Sequence, residues 1–206
     1  VPDENHQLWV RVCGLSTFDT IIALGKRFDI NQGDLQDILN ADHISKTSIT
    51  DKSILVIVKD FYYDDKKTLS IEHVCFLLYQ NYVISFQESN RPIFDRVHNA
   101  LEANTNKIRE KSIDYLFGIL VDSIVNSYVE LIVDIEESLE DMEECLIDPN
   151  KDDTNVGVKI LNARKNIQRM KRAIIPLKEQ LPRLIHPDDT NLIRKENTGY
   201  LVDRKK

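Results

Sequence analysis

The chain has 206 residues, of which 42% are hydrophobic and 30% charged, and it carries a formal net charge of −7. That is enough for one or two domains with a real core. The negative balance argues against a general nucleic-acid binder, because the one basic stretch, described below, is matched by an acidic one.

In chain order, Leu8 to Cys13 reads as a strand, with Trp9, Val10 and Val12 supplying β-propensity. Gly14-Leu15-Ser16 is a turn, and Ser16 or Thr17 can cap a helix whose apolar face is Phe18, Ile21, Ile22, Leu24 and Phe28. Asn31 caps a second helix carrying Leu35, Ile38 and Leu39, with Asp34, Asp37 and Asp42 expected in solvent. The period then changes. Ser53 to Tyr63 reads as a buried strand, Asp64-Asp65-Lys66-Lys67 as a polar hairpin, Leu69 to Leu78 as its partner, and Tyr82 to Phe86 as a third strand after a turn at Gln80-Asn81. Short connections make these an antiparallel meander. Pro92 starts another helix, with Ile93, Phe94, Val97 and Leu101 facing inward, and residues 102–110 form a polar link.

Ser112 to Leu184 reads as two long helices joined at Asp148-Pro149-Asn150. The first has a seam of Tyr128, Ile132, Ile135, Leu139, Met142 and Leu146; the second has Ile160, Ala163, Ile167, Met170, Ile174, Leu177, Leu181 and Leu184. Alternating steps of three and four place such residues on one side of a helix, and Pro176 and Pro182 are expected to kink the second arm. Ser112 to Asp148 holds 11 acids and no Lys or Arg, whereas Thr154 to Leu184 holds 8 basic residues and one acid, Glu179. A short turn makes the arms antiparallel neighbours, and opposite charge favours that pairing, at ~0–1 kcal/mol per exposed pair. Pro187 breaks the chain, and Asp188-Asp189 can cap a new helix bearing Leu192, Ile193, Tyr200 and Leu201. The order predicts an α+β layer followed by a helical extension.

Cys13, Cys75 and Cys145 have no paired spacing, which points to a reducing compartment. The longest apolar run is Val74 to Tyr79, so no stretch is expected to approach the ~20 residues of a membrane span. The polar start, the absent initiator Met and the helical pattern just begun at Lys206 lead to the expectation of a segment of a longer protein without a signal peptide. Catalytic signals are poor. There is no Gly-rich phosphate loop and no Gly-x-Ser-x-Gly elbow. His6, His43, His73, His98 and His186 share no metal-ligand spacing and read as surface or edge histidines. Trp9 and Tyr62-Tyr63 read as sheet core or edge, and the acidic run Asp134 to Glu144 as a solvated helix face. Hard cations such as Mg²⁺ take oxygen ligands, and Asp34 and Asp37, three apart, share a helix face; periodicity alone makes little of that pair.

Five strings occur together in one order: Trp9-Val10-Arg11-Val12 with Gly14-Leu15; Leu35-Gln36-Asp37-Ile38-Leu39-Asn40; Asn81-Tyr82-Val83-Ile84-Ser85-Phe86-Gln87-Glu88 followed by Phe94-Asp95-Arg96-Val97; Asp114-Tyr115-Leu116 with Asp122 and Tyr128; and Ala173-Ile174-Ile175-Pro176-Leu177-Lys178-Glu179. In this register, over residues 8–203, the chain resembles the cytosolic N-terminal domain of the CorA family of magnesium transporters.

The resemblance implies an α/β/α sandwich with a mixed, largely antiparallel sheet at 8–107, lacking its first strands, a long acidic/basic helical hairpin at 108–186, and the beginning of a stalk helix at 187–206 that leads to membrane spans beyond this chain. It implies no enzyme, but the regulatory part of a homopentameric Mg²⁺/Co²⁺ channel of the cell inner membrane, lying on the cytoplasmic side and sensing Mg²⁺ between subunits. Asp37 matches the motif acid of that sensor; its partner acid on the neighbouring stalk is expected beyond Lys206 rather than at Asp203. Some relatives have Glu before the motif Asp; here Gln36 is a neutral, weaker ligand, and Glu140 matches a further acidic position on the first long helix. Arg204-Lys205-Lys206 is too basic to sit beside a metal. Without stalk and spans the segment is expected to be monomeric or weakly associated. The alternatives are a zinc-transporting relative of the same superfamily and a helical interaction module with no role in transport; a hydrolase has no supporting constellation.

Overall fold

A computed structural model describes residues 6–147, 155–185 and 191–198. The elements are β1 (Leu8–Cys13), α1 (Phe18–Arg27), α2 (Gln32–Leu39), β2 (Lys46–Ile49), β3 (Ile54–Tyr63), β4 (Leu69–Leu78), β5 (Tyr82–Gln87), α3 (Asp95–Glu102), α4 (Ile113–Ile147) and α5 (Val156–Gln180). The strands form one sheet in the order β1-β5-β4-β3-β2. β1 runs parallel to β5, and all other neighbours are antiparallel.

Branched and aromatic residues make β3 and β4 strands, and burial on both faces makes their sequence nearly continuously apolar. Successive side chains go to opposite sides. Val56, Val58, Val74, Phe76 and Val83 join α4, α5 and Phe94 in one core. Leu55, Ile57, Cys75, Leu77, Ile84 and Phe86 join Ile21, Phe28 and Ile38 of the α1–α2 layer in a second. The β3–β4 hairpin closes through Asp64, whose Oδ1 accepts from the backbone N–H of Lys66 (2.9 Å) and Thr68 (2.8 Å), while Lys67 takes φ +56°. α1 and α2 touch where Gly25 meets Leu35: a Cβ on Gly25 would lie 2.6 Å from Leu35 Cδ1.

α4 covers the first core with Leu116, Phe117, Leu120, Val121, Ile124 and Tyr128, spaced as a helix face requires. It then continues toward α5 through Leu131, Ile135 and Met142. The seam thus keeps Tyr128, Ile135 and Met142 of the expected set and departs from it at two positions. Leu131, not Ile132, is buried, and Ile132 and Leu146 are exposed, because α4 meets the sheet before it meets α5 and the sheet sets its rotation. On α5 the buried positions are Val156, Ala163, Met170, Ala173 and Leu177, whereas Ile160 is exposed. Pro176 lies inside α5, which runs on to Gln180 before tightening into a 3₁₀ turn at Leu181–Ile185 that contains Pro182.

Other expectations need correcting. β2, four residues of mostly polar sequence, was not anticipated; it is an edge strand whose Thr47 N–H donates to Gln180 Oε1 of α5. The helix after Pro92 begins at Asp95. Asp34 is buried rather than solvated, because it folds back on its own cap: Asn31 Oδ1 accepts from Asp34 N (2.8 Å), and Asn31 Nδ2 donates to Asp34 Oδ2. His73 is buried too. α4 is, by length and composition, long and apolar enough to cross a membrane, contrary to expectation, yet much of it is buried within this fold, where it covers the sheet. The turn at Asp148-Pro149-Asn150 and the cap at Asp188-Asp189 lie outside the described residues.

One polar clamp ties the sheet to α4. Asp60 and Glu72, opposite each other on β3 and β4, are both buried and share Arg91, whose Nη1 is 2.7 Å from Asp60 Oδ2 and 3.1 Å from Glu72 Oε2. Arg91 also lies over the Tyr62 ring, and Ser127 of α4 donates to Asp60 Oδ1 (3.0 Å). Burial raises the Asp60 pKa, and Arg91 opposes that shift. Arg91→Ala should therefore destabilise the fold by about 3 kcal/mol at neutral pH, since it strands two buried carboxylates. A raised folded-state pKa means that the folded chain takes up the proton first, so the deficit should shrink as the pH falls. Urea titrations at two pH values measure both.

Candidate functional site

Asp37 lies in the last turn of α2, its side chain 20% exposed. The chain leaves the helix at Asn40 in an extended conformation, turns back with His43 N–H donating to Asn40 O (2.9 Å), and enters β2 at Lys46. This reversal returns two cationic or potentially cationic groups to the carboxylate. Lys46 Nζ is 2.7 Å from Asp37 Oδ2, and His43 Nε2 is 3.3 Å from Asp37 Oδ1. The other ring nitrogen, His43 Nδ1, is 2.8 Å from Ile44 O. Gln36 is exposed beside them.

The turn is held from below by a polar group on the same face of the sheet. Lys59 Nζ donates to Ala41 O and to His73 Nδ1 (3.0 Å). An ammonium only donates, so Nδ1 carries no proton and Nε2–H donates to Ile38 O (3.1 Å), with Cys75 Sγ also 3.1 Å from Nε2. Burial, reinforced by the Lys59 charge, pushes His73 down to about 4. Burial pushes the Cys75 thiol up, so it is a packed, unreactive thiol.

Glu140 is exposed on α4. α2 belongs to the core on one face of the sheet and α4 to the core on the other, so the fold does not bring Asp37 and Glu140 together within one chain. Among the described residues, no group of three or more His, Cys, Asp or Glu side chains is gathered so as to hold a metal ion. The carboxylate of Asp37 with the imidazole of His43 is at most half of a coordination sphere, and the donors fit a divalent ion only if water or another chain completes it. Sequence reasoning singled out Asp37 but neither His43 nor Lys46. Both lie past the helix end, where periodicity carries no signal; only the reversal between α2 and β2 sets them beside the acid.

A family model described as CorA-like Mg²⁺ transporter protein matches residues 5–204. The chain belongs to this family. It is 30% identical over 202 residues to a cobalt/magnesium transport protein CorA of Thermotoga maritima, a match that takes in 98% of this chain and 57% of that relative. The chain thus spans little more than half the length of that curated relative. Its fold matches the soluble domain of CorA from Methanocaldococcus jannaschii with a TM-score of 0.81 at 21% identity, covering 98% of this chain and 80% of that one. It also matches the ZntB cytoplasmic domain from Vibrio parahaemolyticus with a TM-score of 0.70 at 17% identity, covering 94% and 75%. The CorA family is one of transporters, not enzymes.

The buried His73 makes a measurable prediction for the site's foundation. Its folded pKa lies below the ordinary value of 6.5, so the unfolded chain binds the proton first, and stability present above about pH 6.5 is lost as the pH falls toward about 4. A shift of that size corresponds to roughly 3 kcal/mol. Chemical denaturation across that range should show the loss, and His73→Gln should flatten the profile relative to the parent chain.

Proposed function

We propose that this chain is the regulatory part of a divalent-cation channel, in which Mg²⁺ bound between neighbouring subunits holds the pore shut. Residues 8–107 are the sensor unit, 108–186 its helical arm and 187–206 the lead into a stalk and membrane spans, with the sensor on the cytoplasmic side of the cell inner membrane and the whole protein a homopentamer. Mg²⁺ and Co²⁺ are the ions regulated and carried. The 30% identity to a cobalt/magnesium transport protein supports this over the zinc-transporting and non-transport alternatives.

The observation that carries the reading is the placement of Asp37: in a helix-end turn, partly exposed, with Lys46 and His43 beside its carboxylate. A carboxylate so placed can face an acid of a neighbouring subunit. Two such groups repel when empty, and a divalent ion between them turns repulsion into attraction. Mg²⁺ keeps several of its waters, so one or two carboxylates suffice at modest affinity. Metal binding and subunit docking are then linked: what strengthens one strengthens the other, and loss of Mg²⁺ loosens the interface. Lys46 sets the working range, since its ammonium offsets the charge that attracts the metal. Glu140, exposed on α4, supplies a secondary contact, and Gln36 adds only a neutral oxygen.

In the full-length protein, Asp37→Ala should remove most of the heat of Mg²⁺ binding at millimolar metal and leave the channel conducting at Mg²⁺ concentrations that close the parent; Glu140→Ala should do so partially. Unchanged calorimetry and unchanged closure in Asp37→Ala would reject the sensing role.

A further inference from the structure

The two long helices form an arm whose outer edges carry opposite charge. Toward each other α4 and α5 turn Ile135, Met142, Val156 and Ala163, which share one cavity between them. On the far side of α4, at steps of four and three, stand Val129, Val133, Glu136, Glu140 and Glu143, all exposed. On the far side of α5, at steps of three and four, stand Leu161, Arg164, Gln168, Lys171 and Ile175, all exposed as well. Such steps keep a row on one side of a helix. These charges therefore face away from the partner helix of their own chain.

Each row mixes charge of one sign with bare apolar side chains. Val129, Leu161 and Ile175 are each more than half exposed. Exposed apolar residues are ordinary when single. Set in one row among charges of one sign, they have the make-up of a helix-contact seam, where apolar positions pack and charged ones choose the partner. Ser112 to Asp148 holds no Lys or Arg, so two α4 edges repel each other along their whole length. Two α5 edges repel likewise. An acidic edge against a basic one is the combination that charge and apolar contact both favour.

We infer that the acidic edge of α4 docks on the basic edge of α5 of a second copy of this chain, so that the arms stand side by side around the assembly. The contact joins two different faces, so it is heterologous, and repeated by rotation it closes a ring. Across the arm Ile135, Ser138 and Met142 share the cavity with Val156, Ala163 and Asn166. Antiparallel helices then set Glu136 and Arg164 at about the same height, and neighbouring arms at one level bring the two together. The inference deepens the homopentamer of the proposed function and rests on it, naming the faces by which neighbouring arms meet.

The test uses the full-length protein in detergent, with Cys13→Ser and Cys145→Ser replacing the two cysteines of this segment that are not buried. Glu136→Cys and Arg164→Cys in one chain should give, on mild oxidation, a ladder of disulfide-joined subunits up to the pentamer; neither substitution alone should. Lys165→Glu with Lys171→Glu should slow the ladder about tenfold, the scale of a few exposed ion pairs, and Glu137→Lys with Glu143→Lys should restore it. A disulfide closed within a single chain, a ladder from either single variant, or a ladder indifferent to charge reversal would overturn the contact. Light scattering on the same sample keeps the two readings apart. An assembled mass with no ladder overturns the contact and leaves the homopentamer; a single-chain mass removes both. A ladder together with unchanged Mg²⁺ closure in Asp37→Ala removes the sensing role and leaves the contact.

Discussion

The ladder between β3 and β4 carries everything else. Its ten residue pairs run from Ile54 opposite Leu78 to Tyr63 opposite Leu69, and both faces of the pair are buried. A slip of one residue would send each side chain to the other face. It would give α1 and α2 the surface shaped for α4, and the reverse. Register is therefore pinned by two dissimilar layers at once, one built from two short helices and one from a 35-residue helix.

The same ladder turns polar toward the hairpin. Lys59 and Asp60 stand opposite His73 and Glu72, so consecutive residues send a basic group to one face and an acidic group to the other. Each is met where it arrives. On the α4 side Arg91 and Ser127 serve the two acids. On the α2 side the carbonyls of Ile38 and Ala41 take the donors of His73 and Lys59. Buried polar groups are costly unless satisfied and specifying when they are. Here they fasten the helix-end turn that carries Asp37 to the middle of the sheet, so that a carboxylate near the surface is set on a rigid support.

Much of this was legible in residue order. β1, β4 and α2 follow from alternation, branched residues and an Asn cap, because these signals are local and strong. The five ordered strings led to the family and its sandwich fold. The misses share one cause: the deciding contact is distant in sequence. Lys46-Thr47-Ser48-Ile49 has little to mark it as a strand until β3 pairs with it and Gln180 reaches its outer side. Leu131 replaces Ile132 on the buried seam because the sheet, not the partner helix, orients α4. His43 looked like any isolated histidine, since its nearness to Asp37 comes from a chain reversal that no spacing rule encodes.

β2 belongs to two masters. Its second residue, Thr47, donates its backbone N–H to the side-chain amide oxygen of Gln180, on a helix far along the chain, and its first, Lys46, grips the acid of α2. A backbone that would otherwise be an open sheet edge, ready to recruit a stray strand, is finished by a side chain instead. The finish also joins two distant parts of the chain: adjacent residues of one strand hold the long helix α5 and the acid of α2, so Asp37 stands one peptide unit from a bond to that helix.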